Sequence, residues 1–142
     1  MLYTKLTKLA MKIAFEAHKD QTDKTGLPYI YHPAHLAEQM TEESTTCVAL
    51  LHDVIEDTDM TSEQLREMGF TEEMLTALQL LTHDAAVPYM EYVQAIKSNR
   101  IATIVKLADL RHNSDLTRLD VVDDKARVRV QKYQQAIALL ES

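Results

Sequence analysis

Apolar side chains recur along this chain at intervals of three and four residues, the spacing of one helical face, and no run alternates convincingly enough to suggest a strand. Leu6, Leu9, Ile13 and Ala17 predict a first helix, which a polar stretch from His18 to Gly26 interrupts as a loop. Pro33 to about Met40 reads as a short helix, with Pro33 at the first helical position, where a missing N–H costs nothing. Glu43 to Glu56 reads as one central helix. Thr61 followed by Gln64 fits a capping box, and Gly69 supplies the left-handed residue that ends that segment. Thr71 caps the next helix, with Glu72 and Glu73 at the positive end of its dipole. The stretch Thr82 to Tyr89 reads as a connection that Pro88 ends by opening another helix, on which Tyr89 and Tyr92 share a face. Ile101, Ile104, Val105 and Ala108 mark a further buried face. Asp123 and Asp124 open a last helix that carries Val122, Ala126, Val130, Tyr133, Ile137 and Leu140. The pattern therefore predicts an all-α fold of about seven helical segments, without repeats or linkers.

Composition supports this reading. Two glycines and three prolines leave few helix breakers, and 46% of the residues are hydrophobic. At 142 residues, positions 1–142 are expected to form one domain around a single core. Charges break every apolar run near Met1 to Lys5, so neither a signal peptide nor a spanning helix is expected. The lone Cys47 cannot form an internal disulfide; it reads as a core side chain in a reducing, cytoplasmic compartment. A net charge of −7 argues against nucleic-acid polymers as partners, because neutralising their backbone needs a basic surface. A small anionic substrate stays compatible, since a divalent metal and a few local cations suffice to attract phosphate.

One segment breaks the pattern. Leu50-Leu51-His52-Asp53-Val54-Ile55-Glu56-Asp57-Thr58 places four ionisable side chains on what otherwise reads as a buried helix. Spacings of three and four bring His52, Asp53, Glu56 and Asp57 towards one edge, where three acids repel unless a cation sits among them. Two other segments can supply the missing partners. Asp109 continues the apolar face of its helix as a lone acid, with Asn113 one turn later, and His32 stands just before Pro33 on a stiff backbone.

The order His32, His52-Asp53, Asp109 resembles the ligand set of the HD metal-dependent phosphohydrolase superfamily. Finer detail narrows the likeness. Ala17-His18 with Gln21, Lys24 to Pro33, Ala49 to Thr58 and Val105 to Asp109 resemble the hydrolase domain of Rel/Spo-type alarmone enzymes and their small single-domain relatives, in order and over roughly residues 14 to 119. The resemblance implies a single HD-type helical bundle with one divalent metal bound by His32, His52, Asp53 and Asp109. Two nitrogens and two carboxylates suit Mn²⁺, with Fe²⁺ or Zn²⁺ as substitutes. It gives Glu56 and Asp57 the handling of the nucleophilic water, Glu56 ranking first as base. Lys24, Lys106 and Asn113 are expected substrate contacts, whereas His18, His35, His83 and His112 are expected to be structural or surface residues.

The implied substrate is guanosine tetra- or pentaphosphate, cleaved at the 3′-pyrophosphate. Two departures keep other readings in play. Asp23 stands where the family's loop usually carries a basic residue before Lys24, and Ser114-Asp115-Leu116 replaces a more basic stretch. The alternatives are an HD phosphohydrolase of another nucleotide or phosphoester, and a metal-dependent nucleotide sensor without turnover.

Overall fold

The computed structural model describes residues 1–142 and is all-helical. Nine α-helices follow one another: α1 (Lys5–His18), α2 (Tyr31–Glu38), α3 (Glu43–Leu51), α4 (Val54–Asp57), α5 (Ser62–Glu67), α6 (Glu72–Leu81), α7 (Tyr89–Lys97), α8 (Arg100–Asn113) and α9 (Asp124–Glu141). A short 3₁₀ turn at Leu116–Arg118 joins the last two. Only an isolated antiparallel bridge, Thr22 to Pro28, has β character, and it pinches the base of the loop between α1 and α2. At the tip of that loop Gly26 adopts φ +84°, a left-handed conformation that only glycine takes at little cost.

Helix α3 is the axis of the bundle. Seven of its nine residues, Thr45 to Leu51, are buried, and α1, α2, α6 and α8 pack round it. One contiguous apolar core results, reaching from Ala10 and Ala14 on α1 through Leu50, Leu51, Leu78 and Val105 to Leu140 on α9. Cys47 belongs to that core and is a free thiol. The predicted caps form: Thr61 and Gln64 make a reciprocal capping box, Thr71 accepts from the Met74 amide, and Asp123 accepts from the Ala126 amide. Gly69, at φ +105°, ends the α5 segment as expected.

Three expectations need correction. The central helix is not continuous: α3 stops at Leu51, His52 caps it, and Asp53 sits at φ −105°, ψ −2° before α4 begins. That region of conformational space is sparsely populated and common in active sites. The break turns the chain between the His-Asp pair and the two following acids. Helix α2 starts at Tyr31, so Pro33 is its third residue; its absent N–H is still among the first four, which have no intrahelical partner. Nine helices form rather than about seven, the broken central segment supplying one of the additions.

The core makes a direct stability prediction. Leu78 is fully buried on α6, so Leu78→Ala should cost about 3 kcal/mol in urea unfolding, whereas Val128→Ala on the exposed face of α9 should change stability by less than about 0.5 kcal/mol.

Candidate active site

Three helices converge on one buried polar cluster. Atoms of His32 from α2, His52 from the end of α3 and Asp109 from α8 lie within 4.8 Å of one another, and all three residues are buried. Asp109 is the centre. Its Oδ1 lies 2.9 Å from His32 Nε2, 3.0 Å from the Asn113 amide nitrogen and 3.7 Å from His52 Nε2, while Oδ2 accepts from Lys106 Nζ at 2.9 Å. Asp53 stands at the edge of the group, its Oδ2 3.0 Å from His52 Nε2 and hydrogen-bonded by the Tyr29 hydroxyl.

The tautomer of His52 is fixed by its surroundings. Its Nδ1 lies 2.7 Å from the Ala49 carbonyl, which can only accept, so Nδ1 carries a proton. The buried Nε2 has no hydrogen-bond partner of proper geometry, although carboxylate oxygens of Asp53 and Asp109 stand beside it. A lone pair aimed at carboxylates needs a positive charge between them. Either a proton on Nε2 or a metal ion provides it, and the donor set of two imidazoles and carboxylates fits a divalent ion.

Electrostatics point the same way. Burial alone would raise the Asp109 carboxyl, but Lys106 and the two histidines hold it well below the ordinary carboxylate range. Asp53 is likewise lowered to about 2, His52 overcoming the cost of burial. His52 is raised well above the usual imidazole value, because Asp53 and Asp109 outweigh its own burial. Glu56 and Asp57 behave differently. Both are pushed up, by burial first and then by Asp53, and both side chains reach the surface.

Two cavities meet at Asp53 and Asp109. The larger, about 400 Å³, lies between the 22–29 loop, α8 and α9, and is lined by Lys24, Asn113, Arg118, Arg129 and Tyr133 among others. The smaller, about 190 Å³, is bounded by α4 and the α6–α7 connection, and takes in Glu56, His83, Tyr89, Tyr92 and Lys106. The expected residues are thus distributed unevenly. Lys24 and Asn113 face the large cavity; Lys106 faces the small one and is already tied to Asp109. Glu56 borders the small cavity, while Asp57 borders neither.

Asp23 proves to be a brace. Its Oδ1 accepts from the Thr25 amide at 2.8 Å, the Thr25 hydroxyl at 2.5 Å and the Leu27 amide at 3.2 Å, and its Oδ2 pairs with Arg118 at 3.2 Å. The loop and the 3₁₀ turn are therefore stapled together beside the large cavity. His18, as expected, is a core residue, fully buried with Nδ1 3.0 Å from Gln21 Oε1. His35 is exposed.

Several site residues escaped the sequence reading. Tyr29 anchors Asp53, and burial followed by the Asp53 charge raises its hydroxyl far above the ordinary phenol value. Arg129 and Tyr133 stand four apart on α9, a spacing that puts a cation and an aromatic ring on one face; the apolar stripe around Tyr133 masked this. His112 touches His32, and burial together with Arg118 lowers its imidazole to about 4. His83 accompanies Tyr92 in the small cavity, their rings stacked at 4.5 Å.

No family model matches the chain. Individual proteins do. The guanosine-3′,5′-bis(diphosphate) 3′-pyrophosphohydrolase MESH1 of Xenopus tropicalis is 35% identical, the match covering 89% of this chain and 77% of that protein. The Homo sapiens MESH1 is 36% identical over 87% of this chain and 76% of its own length. A guanosine-3′,5′-bis(diphosphate) 3′-pyrophosphohydrolase of Aquifex aeolicus is 31% identical over 90% of this chain, which spans only 20% of that longer protein. Among solved structures, a metazoan ortholog of SpoT described as hydrolysing ppGpp superposes with a TM-score of 0.77 at 22% identity, covering all of this chain and 89% of the other, a likeness of fold. The identity to the vertebrate proteins, sustained over about three quarters of their length, places this chain in the MESH1 family of guanosine-3′,5′-bis(diphosphate) 3′-pyrophosphohydrolases.

Proposed function

We propose that this chain is a metal-dependent phosphohydrolase that hydrolyses guanosine 3′,5′-bis(diphosphate) at its 3′-pyrophosphate, giving GDP and pyrophosphate, and that it works in the cytoplasm. One observation carries the reading: the buried Nε2 of His52, its tautomer fixed by Ala49, is turned without a hydrogen-bond partner towards two carboxylates. His32, His52, Asp53 and Asp109 would hold the ion, most suitably Mn²⁺, with Fe²⁺ or Zn²⁺ as substitutes. When bound, such an ion polarises a phosphoryl oxygen and lowers the pKa of water.

The chain's own residues account for the remaining steps. Lys24, Arg118 and Arg129 line the large cavity as cations, which suits the anionic end of a nucleotide, and Tyr133 offers a flat ring beside them. Asn113 spans the cluster and that cavity, giving one N–H to Asp109 and keeping its carbonyl oxygen for a substrate hydroxyl. Glu56 borders the cavity on the other side of Asp53 and Asp109. A base there takes the proton of a water that attacks the 3′-linked phosphorus while the bond to the nucleoside 3′-oxygen breaks, and that oxygen takes up a proton from bulk water. The raised carboxyl of Glu56 suits proton transfer better than an ordinary surface acid would. Asp57, facing neither cavity, supports it from one residue away.

A second reading is favoured by the Asp23–Arg118 pair. It spends on loop bracing both a position where the family's loop usually carries a cation and one of the three cations of this cavity. A phosphohydrolase for another nucleotide would accommodate that change. A product-resolved nucleotide panel with Mn²⁺ separates the two: release of pyrophosphate from guanosine tetraphosphate supports the first reading, and inertness towards it with turnover of another member supports the second.

Two further measurements test the roles. Glu56→Gln should lower kcat by roughly 10²- to 10⁴-fold while Mn²⁺ still binds, and chelation of metal from the wild type should abolish pyrophosphate release until Mn²⁺ is returned. The metal-free protein should also show a characteristic pH dependence of stability. The raised His52 contributes fully below about pH 6.5 and loses its contribution as pH climbs through its folded value; the depressed Asp109 contributes above about pH 4 and loses it on acidification. Melting temperatures without metal should therefore peak between these limits and fall on either side, and His52→Gln should flatten the alkaline side.

A further inference from the structure

His32 has a second polar neighbour besides Asp109. Its Nδ1 lies 2.7 Å from Nδ1 of His112 on α8, and the two rings are nearly coplanar, inclined by 8°. Two ring nitrogens at that separation share one proton, since two N–H groups would clash and two lone pairs would repel. We infer that His112 is a positioning residue, whose Nδ1 lone pair accepts the Nδ1 proton of His32 and so frees Nε2 of His32 to face a divalent cation. This rests on the reading of His32 as a metal ligand.

The local structure explains why a second histidine is used. His52 donates to a carbonyl of its own preceding turn, that of Ala49. His32 sits in the first turn of α2, and the carbonyl in the equivalent place, Tyr29, already accepts the His32 backbone amide at 3.0 Å. The lone pair therefore comes from another helix. Histidine ligands commonly give their remaining N–H to an acceptor that fixes ring orientation and tautomer, and here the acceptor is an imidazole. His112 is itself held in place: His35 stacks on it with ring centroids 4.1 Å apart, and its carbonyl accepts from Arg118 Nη1 at 2.9 Å. Without metal the shared proton can reverse. His32 then donates from Nε2 to Asp109, 2.9 Å away, and His112 donates to His32. A neutral imidazole carries one donor and one acceptor, so it serves both states.

The test uses the full chain, stripped of metal, with Mn²⁺ as titrant and the visible spectrum of the Co²⁺-substituted protein as a second readout. His112→Phe keeps a flat ring against His35 but removes both nitrogens; His112→Asn places an amide oxygen near the position of Nδ1. We expect His112→Phe to weaken Mn²⁺ binding 10- to 100-fold and to shift the Co²⁺ bands, and His112→Asn to recover most of the loss. Binding by His112→Phe within twofold of wild type overturns the inference, as does an Asn variant as weak as the Phe variant. If the Phe variant does not fold, His112→Gln, whose longer side chain moves the amide off the Nδ1 position, replaces it in the comparison with Asn. His32→Ala separates the two levels: undiminished Mn²⁺ binding there refutes His32 as a ligand, whereas loss there with none in His112→Phe refutes only the role of His112.

Discussion

The burial of Asp109 is the constraint on which the rest of this structure turns. A carboxylate on the inner face of α8, almost without access to water, is sustained only because His32, His52, Lys106 and Asn113 all point at it. Those partners come from α2, α3 and α8 itself, so their convergence fixes how three helices meet. The apolar core round α3 gives the bundle its stability, but an apolar core alone would tolerate many registers of α2 against α8. The polar cluster selects one. It also leaves a lone pair on His52 that no group of the chain satisfies, and this is the physical link between fold and chemistry.

Much of this was legible in the sequence. Helical periodicity gave the all-α class, the capping residues marked helix starts at Thr61, Thr71 and Asp123, and Gly69 marked an end. His32, His52, Asp53 and Asp109 were singled out, and the fold gathers them, although Asp53 stands at the rim rather than within the tightest group. The break after Leu51 was hidden because periodicity reads side chains, whereas the break is a backbone event at His52 and Asp53. His112, Arg129 and Tyr133 were hidden for another reason. Each is an ordinary residue of its helix until a partner distant in sequence comes to face it, and an imidazole 80 positions from His32 leaves no local signal.

The two cavities differ in their lining, although each holds charges of both signs. Cations from the loop, the 3₁₀ turn and α9 line the larger one, while the smaller holds the acid with the raised carboxyl and two tyrosines. Asp53 and Asp109 belong to both, so a phosphorus atom placed beside them has a nucleoside-sized space on one side and a proton acceptor on the other. An otherwise acidic protein thereby gathers Lys24, Arg118 and Arg129 at one cavity.

The interruption between α3 and α4 carries a consequence for how such chains diverge. A helix turns by about 100° per residue, so adding or deleting one position between His52 and Glu56 would swing the acid away from the cluster and would also displace Val54, which is fully buried in the core. Length in that stretch is therefore locked by chemistry and by packing together. The exposed connection between α6 and α7 has no such lock over Asp84 to Val87, and changes of length among relatives should collect there.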